Sequence, residues 1–165
     1  MILLAIDPGR WTGWCVWQQE FGPLRVGLGQ PPFNAFAFDR VVIERPKIYS
    51  ASLMKGDPND MITLALLAGL YWGQARTMNC EFVYPSDWKG QLNKVVSMNR
   101  TKKSLGKNRV KVESWLKSVP ESLVHNVWDA IGIAIWADKF KTLHHASKVQ
   151  ETLDLTDGQN KWGVA

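Results

Sequence analysis

The sequence predicts an α/β fold in which a five-stranded mixed sheet, an antiparallel meander followed by parallel strands, is flanked by helices. Three short apolar runs near the start of the chain lie too close together for helical crossovers, so they predict the meander. Two later runs with the character of buried strands are separated by a helical pattern, which favours parallel pairing. The strands are expected at Ile2–Ile6, Thr12–Gln18, Leu24–Gly29, Asp39–Glu44 and Cys80–Pro85.

Helix signals follow the fourth strand. Asp57 supplies an N-cap, Pro58 suits the first helical position, and Asp60 places an acid in the first turn. Three helices are expected, at about Pro58–Thr77, Asn108–Ser118 and Leu123–Phe140. The segment 86–107 shows little apolar periodicity after Val96, so its later part is expected to be flexible.

Length and composition predict one domain over residues 1–145 and a polar, loose tail over 146–165. No apolar run approaches the roughly 20 residues of a membrane span, and the chain enters a strand where a signal peptide would carry basic residues. Cys15 and Cys80 are isolated, which favours reduced thiols in a cytoplasmic protein. The cysteines and histidines lack zinc-ligand spacing, so zinc is disfavoured.

The positive charge is concentrated in one segment. The net charge is +5, but the stretch from Lys89 to Lys111 carries +8 with no acid, which leaves −3 for the rest of the chain. This asymmetry favours a polyanionic partner, and nucleic acid over a membrane. The alternative is a solvated, mobile loop with no ligand. The basic residues are Lys89, Lys94, Arg100, Lys102, Lys103, Lys107, Arg109 and Lys111.

Two carboxylates end predicted buried strands. Asp7 follows five apolar residues and precedes a Pro-Gly turn, and Glu44 closes the fourth strand in the same way. Carboxylates at the ends of neighbouring strands repel each other unless a cation lies between them. Oxygen ligands favour Mg²⁺ or Mn²⁺. The alternative is that Asp7 caps its own turn and Glu44 pairs with Arg10 or Arg45.

A third carboxylate, Asp129, lies on the last predicted helix. It falls roughly opposite the middle of the apolar stripe, where an aspartate is ordinarily solvated. His125 and Asn126 precede it by four and three residues, so either can neighbour it on the helix surface. Gly132 would let another backbone approach. The stripe expected in the core comprises Val124, Val127, Trp128, Ile131, Ala134 and Ile135.

Taken together, these motifs resemble the RuvC family of Holliday-junction resolvases, within the RNase H-like superfamily, over about residues 1–140. The resemblance implies an RNase H-like fold and a metal-dependent endodeoxyribonuclease that cuts four-way DNA junctions by paired symmetric nicks, acting as a homodimer. Its motifs are Ile-Asp-Pro-Gly ending at Gly9, Thr12-Gly13, Val-Val-Ile-Glu ending at Glu44, and the segments 108–120 and 125–134.

The resemblance also implies roles for residues. Asp7, Glu44 and Asp129 match the catalytic carboxylates, which would hold two Mg²⁺ ions about 4 Å apart, with Mn²⁺ able to substitute. The fourth ligand position reads Asn126, a neutral amide, with His125 as the alternative. Three more residues correspond loosely to family positions: Lys89 and Lys107 to lysines flanking the active-site loop, and Tyr49 to the aromatic that stacks at the junction centre. DNA-backbone contacts are expected from Lys94, Arg100, Lys102, Lys103, Arg109 and Lys111.

One departure concerns size. Only 36 residues separate Asp7 from Glu44, which leaves too little room for the helix that the family places before its glutamate strand. Compact chains of this kind are similar to the viral branch, so a bacterial or virus-infected bacterial cell is the expected setting. Two other activities stay open: a related nuclease acting on other branched or RNA-containing duplexes, and a non-catalytic junction-binding protein. Trp11, Trp14 and Trp88 are candidates for stacking on DNA bases.

The helix after Glu44 offers a surface for the dimer. Ala65, Gly69 and Gly73 recur every four residues, and such small positions permit close approach of a second helix. The alternative is that this stripe packs on the sheet. Larger apolar residues flank it at Leu66, Leu70 and Trp72.

Overall fold

The fold confirms the predicted mixed sheet. The computed structural model describes residues 1–46 and 57–139, so Tyr49 and the predicted tail lie outside the described residues. The sheet has the order β3-β2-β1-β4-β5, with β1 antiparallel to β2, β2 antiparallel to β3, and β1, β4 and β5 parallel. The strands are β1 (Ile2–Asp7), β2 (Gly13–Gln18), β3 (Gly22–Leu28), β4 (Arg40–Glu44) and β5 (Cys80–Val83).

Helices cover both faces of the sheet. They are α1 (Pro58–Gln74), α2 (Pro85–Trp88), α3 (Lys94–Ser104), α4 (Asn108–Leu116) and α5 (Val124–Lys139). The Asp57 side chain caps α1 by accepting a hydrogen bond of 2.8 Å from the Asn59 N–H, as its position in the sequence predicts. The part of the chain that the structure describes has no helix that is both long enough and apolar enough to cross a membrane.

The expectation of a flexible basic segment was wrong. Its later part forms α3, which Asn93 caps by accepting a hydrogen bond of 3.0 Å from the Val96 N–H. The face of α3 that packs on α5 carries the buried hydroxyl residues Ser97 and Thr101, and Thr101 lies where Gly132 of α5 has no side chain. Because that face is polar in composition, apolar periodicity did not reveal the helix.

The alternation of side chains along the strands separates two cores. Leu4, Ile6 and Ile43 pack on one face with Ala68 and Tyr71 of α1. Ala5 and Val42 point to the other face, where they pack with α5. Because consecutive side chains of a strand alternate, the residues that follow Ile6 and Ile43, namely Asp7 and Glu44, point to the α5 face.

Helix α5 is the central helix of the second face. The predicted stripe is confirmed: four of its six residues are buried and Val124 and Ile135 are partly buried. Burial also extends around the helix to Ala130 and Ile133, because the sheet covers one side of α5 and α3 covers another.

Candidate active site

Asp7 and Glu44 are neighbours at the carboxyl edge of the sheet. Strands β1 and β4 are parallel, and their last paired residues are Ile6 and Ile43. The next residue on each strand is therefore a carboxylate on the same face, about 4.8 Å from the other across the strand pair. This is the arrangement that the sequence predicts from two strands ending in acids.

Asp129 joins them because α5 approaches the sheet closely. Gly13 pairs with Asp7 in the β1–β2 ladder and packs against the backbone of α5 at Asn126 and Val127. A Cβ at Gly13 would lie 2.8 Å from the Val127 nitrogen, and closer still to the Asn126 carbonyl. The Asp129 side chain is only 14% exposed, although an aspartate opposite an apolar stripe is ordinarily solvated.

Lys89 connects two of the three carboxylates. Its Nζ lies 3.6 Å from Glu44 Oε2 and 3.5 Å from Asp129 Oδ2. The preceding residue, Trp88, donates a hydrogen bond of 2.7 Å from Nε1 to Glu44 Oε2. Trp88 is 6% exposed and packs in the space left by Gly132, where a Cβ would lie 2.5 Å from its ring. Trp88 therefore orients Glu44, and its ring is too buried to be a candidate for stacking on DNA bases.

The pKa values show how strongly the carboxylates interact. Burial raises the pKa of Asp7 well above its usual range, and the negative charges of Glu44 and Asp129 raise it further. Burial also raises the pKa of Glu44 and of Asp129, although Lys89 opposes both shifts. Burial alone would lower the pKa of Lys89, but Glu44, Asp129 and Asp7 together outweigh it and the pKa is raised. Three carboxylates thus share one lysine, which leaves a negative excess.

The donor set suits a divalent cation. The oxygens of three carboxylates are the ligands that Mg²⁺ and Mn²⁺ prefer, and a bound cation would relieve the repulsion that raises the Asp7 pKa. Within residues 1–46 and 57–139, no three His, Cys, Asp or Glu side chains are already gathered around one metal position. The contact that compensates Glu44 and Asp129 here is the Lys89 ammonium.

Both candidates for the fourth ligand position border the cluster. The Asn126 backbone packs on Gly13, the partner of Asp7 in the sheet. Burial lowers the pKa of His125 and the nearby Lys94 lowers it further, so the imidazole is neutral at neutral pH. Asp129 is close enough to oppose that shift.

Lys107 does not reach the carboxylates, so its assignment to the site is corrected. It is the N-cap residue of α4, and its neighbour Asn108 donates a hydrogen bond of 3.2 Å to the Phe21 carbonyl. Phe21 immediately precedes β3. In the β2–β3 pair Gly22 is opposite Gln18 and Leu28 is opposite Gly13, so Phe21 lies at the far end of the pair from Gly13. The position of Lys107 in the sequence did not predict its position in the fold, because α3 carries the chain away from the carboxylates.

Lys94 lies closer to the carboxylates than the sequence indicated. It begins α3, and its positive charge lowers the pKa of Asp7 and of Asp129. The sequence analysis assigned it only to DNA binding, because helix α3 was not predicted there. Its position beside α5 depends on that helix.

The other predicted DNA contacts divide between two helices. Arg100, Lys102 and Lys103 lie on α3, with the Lys102 ammonium 5.2 Å from the centre of the Trp128 ring. On α4, Arg109 pairs with Glu113 at 2.8 Å and Lys111 Nζ donates to the Pro23 carbonyl at 3.4 Å. The α4 residues therefore have partners within the protein and lie beside β3, away from Asp7.

A buried hydrogen-bond network holds the turn after Asp7. The Thr12 hydroxyl donates to the Gly9 carbonyl at 2.9 Å and accepts from the Gly9 N–H at 3.3 Å. It also lies 2.9 Å from the Tyr71 hydroxyl of α1. The turn that presents Asp7 is thus connected to α1 on the opposite face of the sheet.

The sheet order, the strand directions and the helix that crosses the sheet define an RNase H-like fold. The fold is that of RuvC: the chain is similar to T. thermophilus RuvC in complex with a Holliday junction substrate, with a TM-score of 0.52 and 19% identity over 82% of this chain and 92% of that chain. A second Thermus thermophilus RuvC structure has a TM-score of 0.47 and 17% identity, over 92% of this chain and 97% of that chain. No protein-family model matches the chain, and no curated protein matches its sequence.

Proposed function

We propose that the protein is a structure-selective, metal-dependent endonuclease that resolves four-way DNA junctions by paired symmetric phosphodiester hydrolysis. The observation that carries this proposal is the group of Asp7, Glu44 and Asp129 around Lys89, at the carboxyl edge of an RNase H-like sheet. The basic helix α3 begins beside the same group, at Lys94. Acidic residues for metal and basic residues for DNA are thus adjacent.

The chain's own residues have distinct tasks in this chemistry. Asp7, Glu44 and Asp129 would hold two Mg²⁺ ions, or Mn²⁺, which when bound supply the activated water and Lewis-acid charge for phosphodiester hydrolysis. Lys89 holds a positive charge beside the reacting phosphate and stabilises the negative charge that grows on its oxygens. Contacts from α3 to other phosphates would make binding steeply salt-dependent.

The test is cleavage of three substrates: a synthetic four-way junction, a flap and an RNA–DNA hybrid, each with Mg²⁺ or Mn²⁺. We expect symmetric nicks in opposite strands of the junction. Preferential cleavage of the hybrid or the flap would replace the proposal with a different nuclease of the same fold. Junction binding without products in either metal would assign the chain to non-catalytic junction binding.

Asn126→Asp is expected to lower the Mg²⁺ concentration that gives half-maximal cleavage by several-fold. An aspartate would replace a neutral amide with a charged ligand at a position whose backbone packs on Gly13, the sheet partner of Asp7. Magnesium titration of cleavage measures the effect. His125→Ala is the companion variant and should change the requirement little. If His125→Ala instead needed a much higher Mg²⁺ concentration for half-maximal cleavage and Asn126→Asp left that concentration unchanged, the ligand would be His125.

Helix α1 supports the proposed homodimer. Ala68 and Tyr71 pack on the sheet, whereas Leu66 is 71% exposed and Gly69 and Gly73 have open space around them. The alternative that the stripe of small residues packs on its own sheet is therefore wrong. Two further exposed apolar residues, Ile62 and Leu70, extend the surface. Such an exposed apolar surface favours association with a second copy.

Leu66→Glu is expected to convert the dimer into a monomer, because it would place a charge in the middle of the apolar surface on α1. Sedimentation analysis would report the mass, and a junction assay would show single nicks in place of paired ones. Val110→Glu is a matched control, since Val110 is 74% exposed on α4 and should tolerate the same change. A wild-type monomer that makes paired nicks would contradict the prediction.

A further inference from the structure

A small pocket lies beside the carboxylates, between α2, α3 and α5. Its volume is about 60 Å³, and Trp88 and Gly132 contribute to its wall. Trp88 is also the residue that donates to Glu44. The pocket therefore lies one side chain away from the proposed active site, on the side where α3 crosses α5.

The polar side chains around this pocket are cationic or hydroxyl-bearing. Arg100 and Lys139 line it together with Lys89, and no acidic residue of the described ranges does so. Lys89 is already engaged by Glu44 and Asp129, whereas neither Arg100 nor Lys139 has an ion pair within residues 1–46 and 57–139. Three hydroxyl residues also line it, namely Ser97, Thr101 and Ser104, and the rest of the wall includes Ile135 and Trp136. Two positive charges next to hydroxyl donors suit an oxyanion.

The position of the pocket along α5 relates it to the reacting phosphate. Gly132 follows Asp129 by three residues and Trp136, also in the lining, follows by seven, which corresponds to about 4.5–10 Å along the helix axis. A DNA strand advances about 3.4 Å of axis per nucleotide. Along a duplex whose axis runs parallel to α5, this separation corresponds to roughly one to three nucleotides of one strand.

We propose that this pocket binds one non-scissile backbone phosphate of the cleaved strand, with Arg100 and Lys139 as its ligands. The proposal rests on the proposed nuclease function and refines it. The contact would set where along the strand the scissile phosphate lies. Arg100 and Lys139 are then positioning residues, because they touch the substrate but not the reacting atoms.

The test is a double-mutant cycle between the protein and the DNA. Single phosphates of a junction strand are replaced by neutral methylphosphonates, and binding is measured by anisotropy in EDTA for the wild type, Arg100→Ala and Lys139→Ala. We expect one methylphosphonate within three nucleotides of the cut to weaken wild-type binding at least about fivefold, and to have a smaller effect on Arg100→Ala and on Lys139→Ala. Arg100→Lys should retain part of the coupling. Arg25→Ala removes an exposed charge on β3 and is the matched control.

The outcomes distinguish failure of the pocket proposal from failure of the proposed nuclease function. The cut is mapped with the wild type and Mg²⁺, so absence of cleavage would refute the nuclease while the binding cycle still reports on the pocket. If no phosphate couples to Arg100, or if Arg25→Ala shows the same coupling, the pocket proposal fails. Saturable binding of inorganic phosphate to the pocket with no coupling to a DNA phosphate would also overturn it.

Discussion

Asp7→Asn is expected to abolish cleavage and, in metal-free buffer at neutral pH, to stabilise the protein. Asp7 is buried beside two other carboxylates, and its pKa in the folded protein is raised well above the ordinary value of 3.8. The folded state therefore binds the proton more tightly than the unfolded state does. The contribution of Asp7 to the free energy of unfolding therefore falls as the pH rises from its pKa in the unfolded state to its raised pKa in the folded state. Above the ordinary pKa this carboxyl group therefore opposes folding increasingly as the pH rises, and asparagine removes that opposition.

The measurement is thermal unfolding with EDTA at pH 5 and pH 8, followed by titration with Mg²⁺. At pH 8 the midpoint should rise by about 2–4 °C for each kcal/mol by which the substitution increases the free energy of unfolding. Mg²⁺ should stabilise the wild type and have much less effect on the variant. Cleavage should fall by more than about 100-fold, the upper value for losing a residue that only supports a metal ligand.

Glu121→Gln provides the comparison, since Glu121 is exposed and the substitution also removes one carboxylate. It should leave cleavage and the response to Mg²⁺ unchanged. A lower midpoint for Asp7→Asn than for the wild type at pH 8 without metal would mean that Asp7 stabilises the fold. The carboxylates would then not form a mutually repelling group.

The positions of Asp7 and Glu44 could be predicted because strand geometry is local and periodic. Each residue ends an apolar run, and parallel neighbours place such ends at the same edge of a sheet. Asp129 was harder, because a helical wheel identifies a buried stripe but not a second contact on another side. Helix α5 packs against both the sheet and α3, so a residue opposite the apolar stripe still borders the site, and only the family resemblance indicated Asp129.

The lysines show what spacing along the chain leaves undetermined. Lys89 lies beside Glu44 and Asp129 because α2 begins at Pro85, directly after β5, and turns the chain back over the carboxyl edge. Lys107 follows a helix whose packed face is made of Ser97 and Thr101, and no apolar pattern marked it. Because α3 carries the chain across the sheet, α4 and Lys107 lie at the end of the sheet far from Asp7. The second lysine near the carboxylates is Lys94, at the start of α3.

The two glycines of the site were also distinguished only by the structure. Gly132 was expected to admit a backbone, but it accommodates the ring of Trp88, which in turn donates to Glu44. The close backbone approach occurs at Gly13, in the Thr12-Gly13 motif, where the sequence indicates the start of a strand but no reason for a glycine. Each glycine thus fixes one carboxylate indirectly: Gly132 through Trp88, and Gly13 through the first turn of α5.

Gly13→Ala is therefore expected to impair the site more than any other substitution of a residue that cannot itself bind metal or DNA. A methyl group at this position would overlap the Asn126 carbonyl and approach the Val127 nitrogen to 2.8 Å, so α5 must move away from β1 and β2. Overpacking of this kind costs about 1–3 kcal/mol. A displacement of about 1 Å between catalytic groups can reduce the rate about a hundredfold. Asp129, three residues after Asn126, would move with the helix while Asp7 and Glu44 stay on the sheet.

Gly9→Ala separates this effect from a general sensitivity of the loop, because a Cβ at Gly9 meets nothing closer than 3.9 Å and its backbone is not in the left-handed region. Calorimetric titration with Mn²⁺ and junction cleavage should show weaker metal binding and slower cutting in Gly13→Ala and near-normal values in Gly9→Ala. Circular dichroism at low temperature confirms that both variants are folded. If a folded Gly13→Ala protein bound Mn²⁺ and cut junctions like the wild type, α5 would not need to contact β2 to bring Asp129 to Asp7. The close contact at Gly13 would then be a feature of packing alone.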